Sequence, residues 1–274
     1  MISARAQNLY KNVKDPINKY AHKQGMDYMA LLKGCAKEKD LNKVINIHDN
    51  LKEKGLLEKN PYLGSALITI YATCGALEKA YKVFMELQIR DVVSWCAIIG
   101  GYTKKGKGRE ALDFFERMQN DGIAPDLITF ACALKACGSV IDIDMGQKIH
   151  KTIIDKEMLG KNIVLDTALV DMYAKCGELG KAENVLEELP VRDVVSWNAL
   201  ISGYVQYQRG KDALKCLEVM QCEGIFPDTV TFTCILKACG ALGEIRKGKQ
   251  IHDEIICKCL LEENVMLGNA FVDM

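Results

Sequence analysis

The segment RDVVSWCAIIGGY at Arg90–Tyr102 returns as RDVVSWNALISGY at Arg192–Tyr204. The interval is 102 residues, and other positions obey it. Cys35, Cys137 and Cys239 share it, and so do His48, His150 and His252. A chain that repeats at a fixed interval is expected to fold as an array of like modules, each completing its core against its neighbours. The interval divides into three shorter repeats of 36, 31 and 35 residues. Full repeats then run 25–60, 61–91, 92–126, 127–162, 163–193, 194–228 and 229–264, with a partial one at 265–274.

Each repeat reads as two antiparallel helices. In 92–126, Ser94 is placed to cap the first helix by accepting a backbone N–H. Trp95, Ile98, Ile99 and Tyr102 follow at helical spacing on one face. The glycines of KKGKG break the helix. Ala111, Leu112, Phe115 and Met118 make the apolar side of a second helix, which Gly122 ends and Pro125 blocks from continuing. So short a pair cannot bury both apolar faces alone. The predicted fold is therefore all-α, a right-handed α-solenoid superhelix of stacked antiparallel helix pairs. Residues 1–24 fall outside the pattern and read as a helical lead-in or N-terminal cap. Their basic character (Arg5, Lys11, Lys14, Lys19, Lys23) also suits the remnant of an organellar transit peptide.

Composition narrows the function classes. Apolar residues make up 49% of the 274 residues, which suits a large core. Lys plus Arg equals Asp plus Glu, 36 against 36, so a basic surface for nucleic acid has to be local. No apolar run is long enough to span a bilayer, and no membrane partner is expected. The twelve cysteines include no CxxC pair, and seven of them recur as repeat positions. They read as small packed thiols in a reducing compartment, not as metal ligands. His48, His150 and His252 are likewise one repeat position, so no metal site and no cofactor are expected.

The repeats resemble pentatricopeptide repeats of the plant PLS class. The likeness lies in VVSWNALISGY with MQCEGIFPD (P type), VTFTCILKACGALGEIRKGKQIH (L type) and LDTALVDMYAKCGELGKAENVLEELPVRD (S type). It covers residues 25–274 in the order L, S, P, L, S, P, L, S. The tetratricopeptide signature, W…LG…Y, is absent. The resemblance implies sequence-specific binding of single-stranded RNA, one base per repeat, in mitochondria or chloroplasts, in C-to-U editing or another RNA processing step. It also implies that the fifth and last residues of a repeat face the base, and that the apolar second residue helps to sandwich it.

Carried onto this chain, the reading pairs are Ser65 with Asp91, Cys96 with Asp126, Thr167 with Asp193, Asn198 with Asp228, and Thr233 with Asn264. Met29 with Asn60 and Ala131 with Asn162 have no useful fifth residue and receive no base. The sandwiching residues are Tyr62, Val93, Ile128, Val164, Val195 and Val230. Lys104 and Lys175 stand where the family often carries a basic residue near the RNA backbone.

The chemistry of the pairs follows from donor and acceptor counting. An ionised Asp only accepts. Guanine and uracil offer an imino N–H at the place where adenine and cytosine have a bare ring nitrogen. A terminal Asp therefore favours G or U, and a terminal Asn favours A or C. Compact Thr or Ser leaves room for a purine, and longer Asn reaches a pyrimidine. Thr167 with Asp193 then reads G, as does Ser65 with Asp91. Asn198 with Asp228 reads U, and Thr233 with Asn264 reads A. Cys96, with only a weak S–H donor, separates G from U poorly. The same aspartates precede helices and also suit the positive N-terminal end.

No catalytic residues are expected. A zinc deaminase needs P-C-x-x-C, which does not occur. A deaminase domain or editing-complex proteins are the protein partners that the resemblance implies, supplied in trans or by further sequence. The different-class alternative is a helical scaffold for protein–protein interaction, although a scaffold has no need to vary the fifth residue. GNAFVDM at the end matches DTALVDM at Asp166–Met172, so the chain reads as a fragment whose last helix, around Phe271, lacks its cover.

Overall fold

The computed structural model describes residues 28–35 and 37–257. The lead-in at 1–24, Asn264, the partial repeat at 265–274 and the expectation about Phe271 lie outside these residues. Every described element is a helix. They are α1 (28–35), α2 (Leu41–Glu53), α3 (Leu56–Lys59), α4 (Pro61–Thr73), α5 (Leu77–Glu86), α6 (Val92–Lys104), α7 (Gly108–Asn120) and α8 (Leu127–Val140). Then come α9 (Ile143–Asp155), α10 (Ile163–Lys175), α11 (Leu179–Glu188), α12 (Val194–Gln206), α13 (Gly210–Cys222), α14 (Thr229–Leu242) and α15 (Ile245–Cys257). The one-turn α3 is an addition to the expected two helices per repeat. No described helix is long and apolar enough to cross a membrane.

The chain divides into two compact units, Met1–Ala133 and Leu134–Met274. In the first, α4 packs on α5 and on α6, and α6 packs on α7. In the second, α10 packs on α11 and α12, and α12 on α13 and α14. Within each unit the first helix of a repeat therefore touches both its own partner and the first helix of the next repeat. The sequence encodes this through small residues. A Cβ on Gly101 would stand 2.6 Å from the Cβ of Ala72, and one on Gly203 only 2.7 Å from that of Ala174. Glycine allows α6 to approach α4, and α12 to approach α10, this closely.

The expected apolar faces are buried. Trp95, Ile98 and Ile99 of α6 are inside, with Tyr102 half-buried, and Ala111, Leu112, Phe115 and Met118 of α7 are inside as well. Phe114, not assigned to that face, is also buried. Each such aliphatic or aromatic burial is worth roughly 1.5–3 kcal/mol. Two of the recurrent histidines are structural ties. His48 Nδ1 lies 3.0 Å from Tyr71 Oη, joining α2 to α4, and His150 Nδ1 lies 2.8 Å from Tyr173 Oη, joining α9 to α10.

One local expectation is corrected. Ser94 does not cap α6. The cap is Asp91, whose carboxylate accepts from the Ser94 backbone N–H at 2.9 Å. The Ser94 hydroxyl turns back and donates to the Asp91 carbonyl at 2.8 Å. The signal was present as Asp-x-x-Ser, the spacing of a capping box.

Candidate nucleic-acid interface

The last residue of each repeat opens the next helix. Asn60 and Asn162 cap α4 and α10 through their side-chain oxygens, and Asp91, Asp193 and Asp228 cap α6, α12 and α14. Asp126 accepts from Thr129 N at 2.8 Å at the start of α8. The capping role is therefore real at all six positions. Each of the four aspartates caps with a single oxygen, Oδ1, and among the described residues its Oδ2 takes no hydrogen bond.

The second residue of each repeat sits in the first helical turn and points outward. Tyr62, Val93, Ile128, Val164, Val195 and Val230 are all exposed. Six large apolar side chains at one repeat position, kept in water, contrast with the buried residues that follow them along the same helices.

The fifth residue lies one turn further on and deeper. Ser65 and Asn198 are buried, at 5% and 8% exposure, while Cys96, Thr167 and Thr233 are half-buried. Ala131 is buried, and Met29 is half-buried. Asn198 Nδ2 donates to Asp228 Oδ1 at 2.9 Å, so the fifth and last residues of repeat 194–228 meet directly. Thr233 turns away, its hydroxyl donating to the Thr229 carbonyl in its own helix at 2.7 Å. Burial works to raise the Asp228 carboxyl, but hydrogen bonds from Thr231, Asn198 and Val230 outweigh it and hold the group below the ordinary carboxylate range. Asp228 is thus ionised at neutral pH, and Asn198 has to turn its nitrogen toward it.

Sequence reasoning missed the third residue of the following repeat. Ser94, Thr129, Ser196 and Thr231 are four of the few fully buried polar side chains. All four follow an aspartate, whereas Leu63 and Leu165 stand at this position after Asn60 and Asn162. That covariation was visible in the repeat, but its direction of bonding was not. Ser94 and Ser196 donate to the aspartate's own carbonyl, each at 2.8 Å. Thr129 donates to the Asp126 carboxylate at 2.6 Å, and Thr231 lies 2.6 Å from Asn198 Oδ1. The Cys96 thiol titrates below its usual value, chiefly through hydrogen bonding with Cys132 and further through Thr129, against burial and the Asp126 charge.

The two assigned lysines are exposed. Lys175 pairs with Asp171 at 2.7 Å, and Lys104 sits in the last turn of α6. A cavity of about 380 Å³ in the first unit is lined by His48, Lys52, Val83 and Glu86, and of the reading residues only Asp91 borders it. Within each unit the candidate interface lies at helix N-termini, not in an enclosed site.

The PPR repeat family model matches residues 90–139 and 192–241. The PPR repeat model matches 27–56, 65–92, 167–194 and 230–260. Together they span more than half of the chain. The chain is a pentatricopeptide repeat protein.

Among its relatives, a pentatricopeptide repeat-containing protein of Arabidopsis thaliana is 38% identical over 247 residues, 89% of this chain and 43% of that protein. A mitochondrial one from the same plant is 34% identical over 256 residues, covering 92% of this chain and 46% of its own length. A chloroplastic one is 31% identical over 245 residues, covering 89% and 39%. The chain thus spans less than half the length of these relatives. The crystal structure of the pentatricopeptide repeat protein PPR10 with an 18-nucleotide psaJ RNA element superposes with a TM-score of 0.69 at 16% identity. The match covers 95% of this chain and 38% of PPR10. PPR10 from maize solved in another crystal structure gives 0.60 at 18% identity, with 99% of this chain and 46% of that one covered. These likenesses are likenesses of fold, and they bear out the stacked helix pairs.

Proposed function

We propose that this pentatricopeptide repeat array binds single-stranded RNA in a sequence-specific way, one base per repeat, as a specificity factor in organellar C-to-U editing or a related processing step. The L, S, P order of its repeats supports a place in the PLS class. Relatives named as mitochondrial or chloroplastic support an organellar address, and the fold shared with an RNA-bound PPR10 supports RNA as the ligand class. A deaminase domain would be supplied by further sequence or in trans.

One observation carries the reading. Within each unit an exposed residue, always apolar, stands in the first turn of each first helix, one turn before a fifth residue that changes from repeat to repeat, and in 194–228 the fifth and last residues already meet. Val195 with Asn198 and Asp228 is the fullest example. Apolar contact suits any base face, whereas donors and acceptors discriminate base edges. Such edges are free only in single strands.

The test measures affinity for four RNAs that differ only at the base assigned to 194–228, before and after Asn198→Thr. That change recreates the combination of Thr167 with Asp193. Preference should move from U to G at this one base, by about 1–3 kcal/mol, and neighbouring positions should not respond. Persistence of the U preference, or equal affinity for the same strand within a duplex, rules the reading out.

A further inference from the structure

The buried hydroxyl of Thr231 belongs to the repeat that follows 194–228, yet it is bonded into the reading pair of that repeat. Thr231 is fully buried. Its hydroxyl lies 2.6 Å from Asn198 Oδ1 and 3.0 Å from Asp228 Oδ1, and it accepts from the Asp228 backbone N–H at 3.2 Å. A hydroxyl has one proton to give. Asp228 Oδ1 already takes Val230 N at 3.0 Å, Thr231 N at 2.9 Å and Asn198 Nδ2 at 2.9 Å. Asn198 Oδ1 has no other described donor. The proton therefore serves Asn198.

We infer that Thr231 is a positioning residue for base choice: it locks the Asn198 amide so that repeat 194–228 discriminates against cytosine. The inference rests on the RNA reading proposed above. With Nδ2 held by Asp228 and Oδ1 held by Thr231, what remains uncommitted is the second N–H of Asn198 and Oδ2 of Asp228. That is a donor beside an acceptor. Uracil complements it, with a carbonyl beside its imino N–H. Cytosine presents the reverse, an amino group beside a bare ring nitrogen. Without the hydroxyl, Asn198 Oδ1 is a buried acceptor in need of a donor, and the cytosine amino group supplies one. Leaving such an acceptor unpaired is costly, so the lock has consequences for affinity.

The neighbouring junctions set the limits of this role. Thr129 occupies the same position after Asp126, but its proton goes to the carboxylate at 2.6 Å, since Cys96 offers no oxygen. Ser196 donates to the Asp193 backbone and holds no base-facing group. The positioning role is thus confined to the repeat with an amide at its fifth position.

The experiment uses the whole chain and compares affinities for single-stranded RNAs carrying U or C at the base assigned to 194–228. Thr231→Val removes the hydroxyl at nearly constant shape, and Thr231→Ala is measured beside it in case the first does not fold. Thermal unfolding checks that the chain compared is folded. The U-to-C affinity ratio should fall about tenfold, mostly because C binds better. Thr231→Ser keeps the hydroxyl and should restore the ratio. Ser196→Ala should leave the preference at the base assigned to 163–193 unchanged. A folded Thr231→Val or Thr231→Ala chain with the parental ratio overturns the inference, and so does a Thr231→Ser chain that behaves like the valine variant. A parental chain with no preference among the four bases overturns the RNA reading itself, and the inference with it.

Discussion

Helices α6 and α12 share the first turn VVSW, a glycine at the same late position and the same 13-residue length. Their surroundings nevertheless satisfy polar groups differently. Trp197 Nε1 donates to Glu223 at 3.2 Å, whereas buried Trp95 Nε1 has no partner among the described residues. Asp121 holds the place of Glu223 in the first copy and is one methylene shorter. Asn198 is tied to Asp228 and Thr231, while Cys96 is held in a thiol contact with Cys132 and Thr129. The turn after the helix also differs, with Gly106 at φ 73° and Gln208 at φ 58°. The comparison teaches that the helical frame is constant and the polar chemistry mounted on it is free to vary. The frame depends on apolar faces and on Gly101 and Gly203.

Three measurements bear on this contrast. The largest effect should come from Asp228→Ala, which removes the α14 cap and strands the Asn198 amide. Urea unfolding should show a loss of about 3 kcal/mol, against about 1–2 kcal/mol for Asp126→Ala, whose loss is a cap and one hydroxyl bond. Equal losses would mean that the Asn198 tie contributes nothing. Next comes Glu223→Ala, which orphans Trp197 Nε1 and breaks the ion pair with Arg192. It should cost about 1–2 kcal/mol, while Asp121→Ala should stay within about 0.5 kcal/mol. A costly Asp121→Ala would show that the two tryptophans are not differently partnered. The smallest is Gln208→Gly, a change to the residue already used at Gly106. Relief of left-handed strain should stabilise by roughly 0.5–1 kcal/mol, read as a raised melting temperature. A lowered one would place other restraints on that turn.

The left-handed positions show how far a single chain can be read. Lys39, Ile141 and Gly243 share one repeat position, all with positive φ, as do Gly55 and Glu157. Glycine at one copy announces the conformation, but Ile141 at another does not. The repeat comparison carries the information where the residue itself hides it. Ser94 shows the opposite error. Its type suggested a cap, although the aspartate three residues earlier was the better candidate by spacing alone.

The array, the helix pairs and most of their apolar faces were legible in the residues alone. These depend on periodicity and on contacts within a few positions, which a short window contains. The family resemblance singled out the second, fifth and last residues of each repeat. Which of them touch depends on packing between repeats. Asn198 reaches Asp228 and Thr231 across 30 and 33 residues, and the choice between a backbone carbonyl and a side-chain oxygen for each buried hydroxyl depends on how α12 packs against α14. Hydrogen-bond direction is settled by competition among all the donors and acceptors gathered at one place, and that gathering is made by the fold.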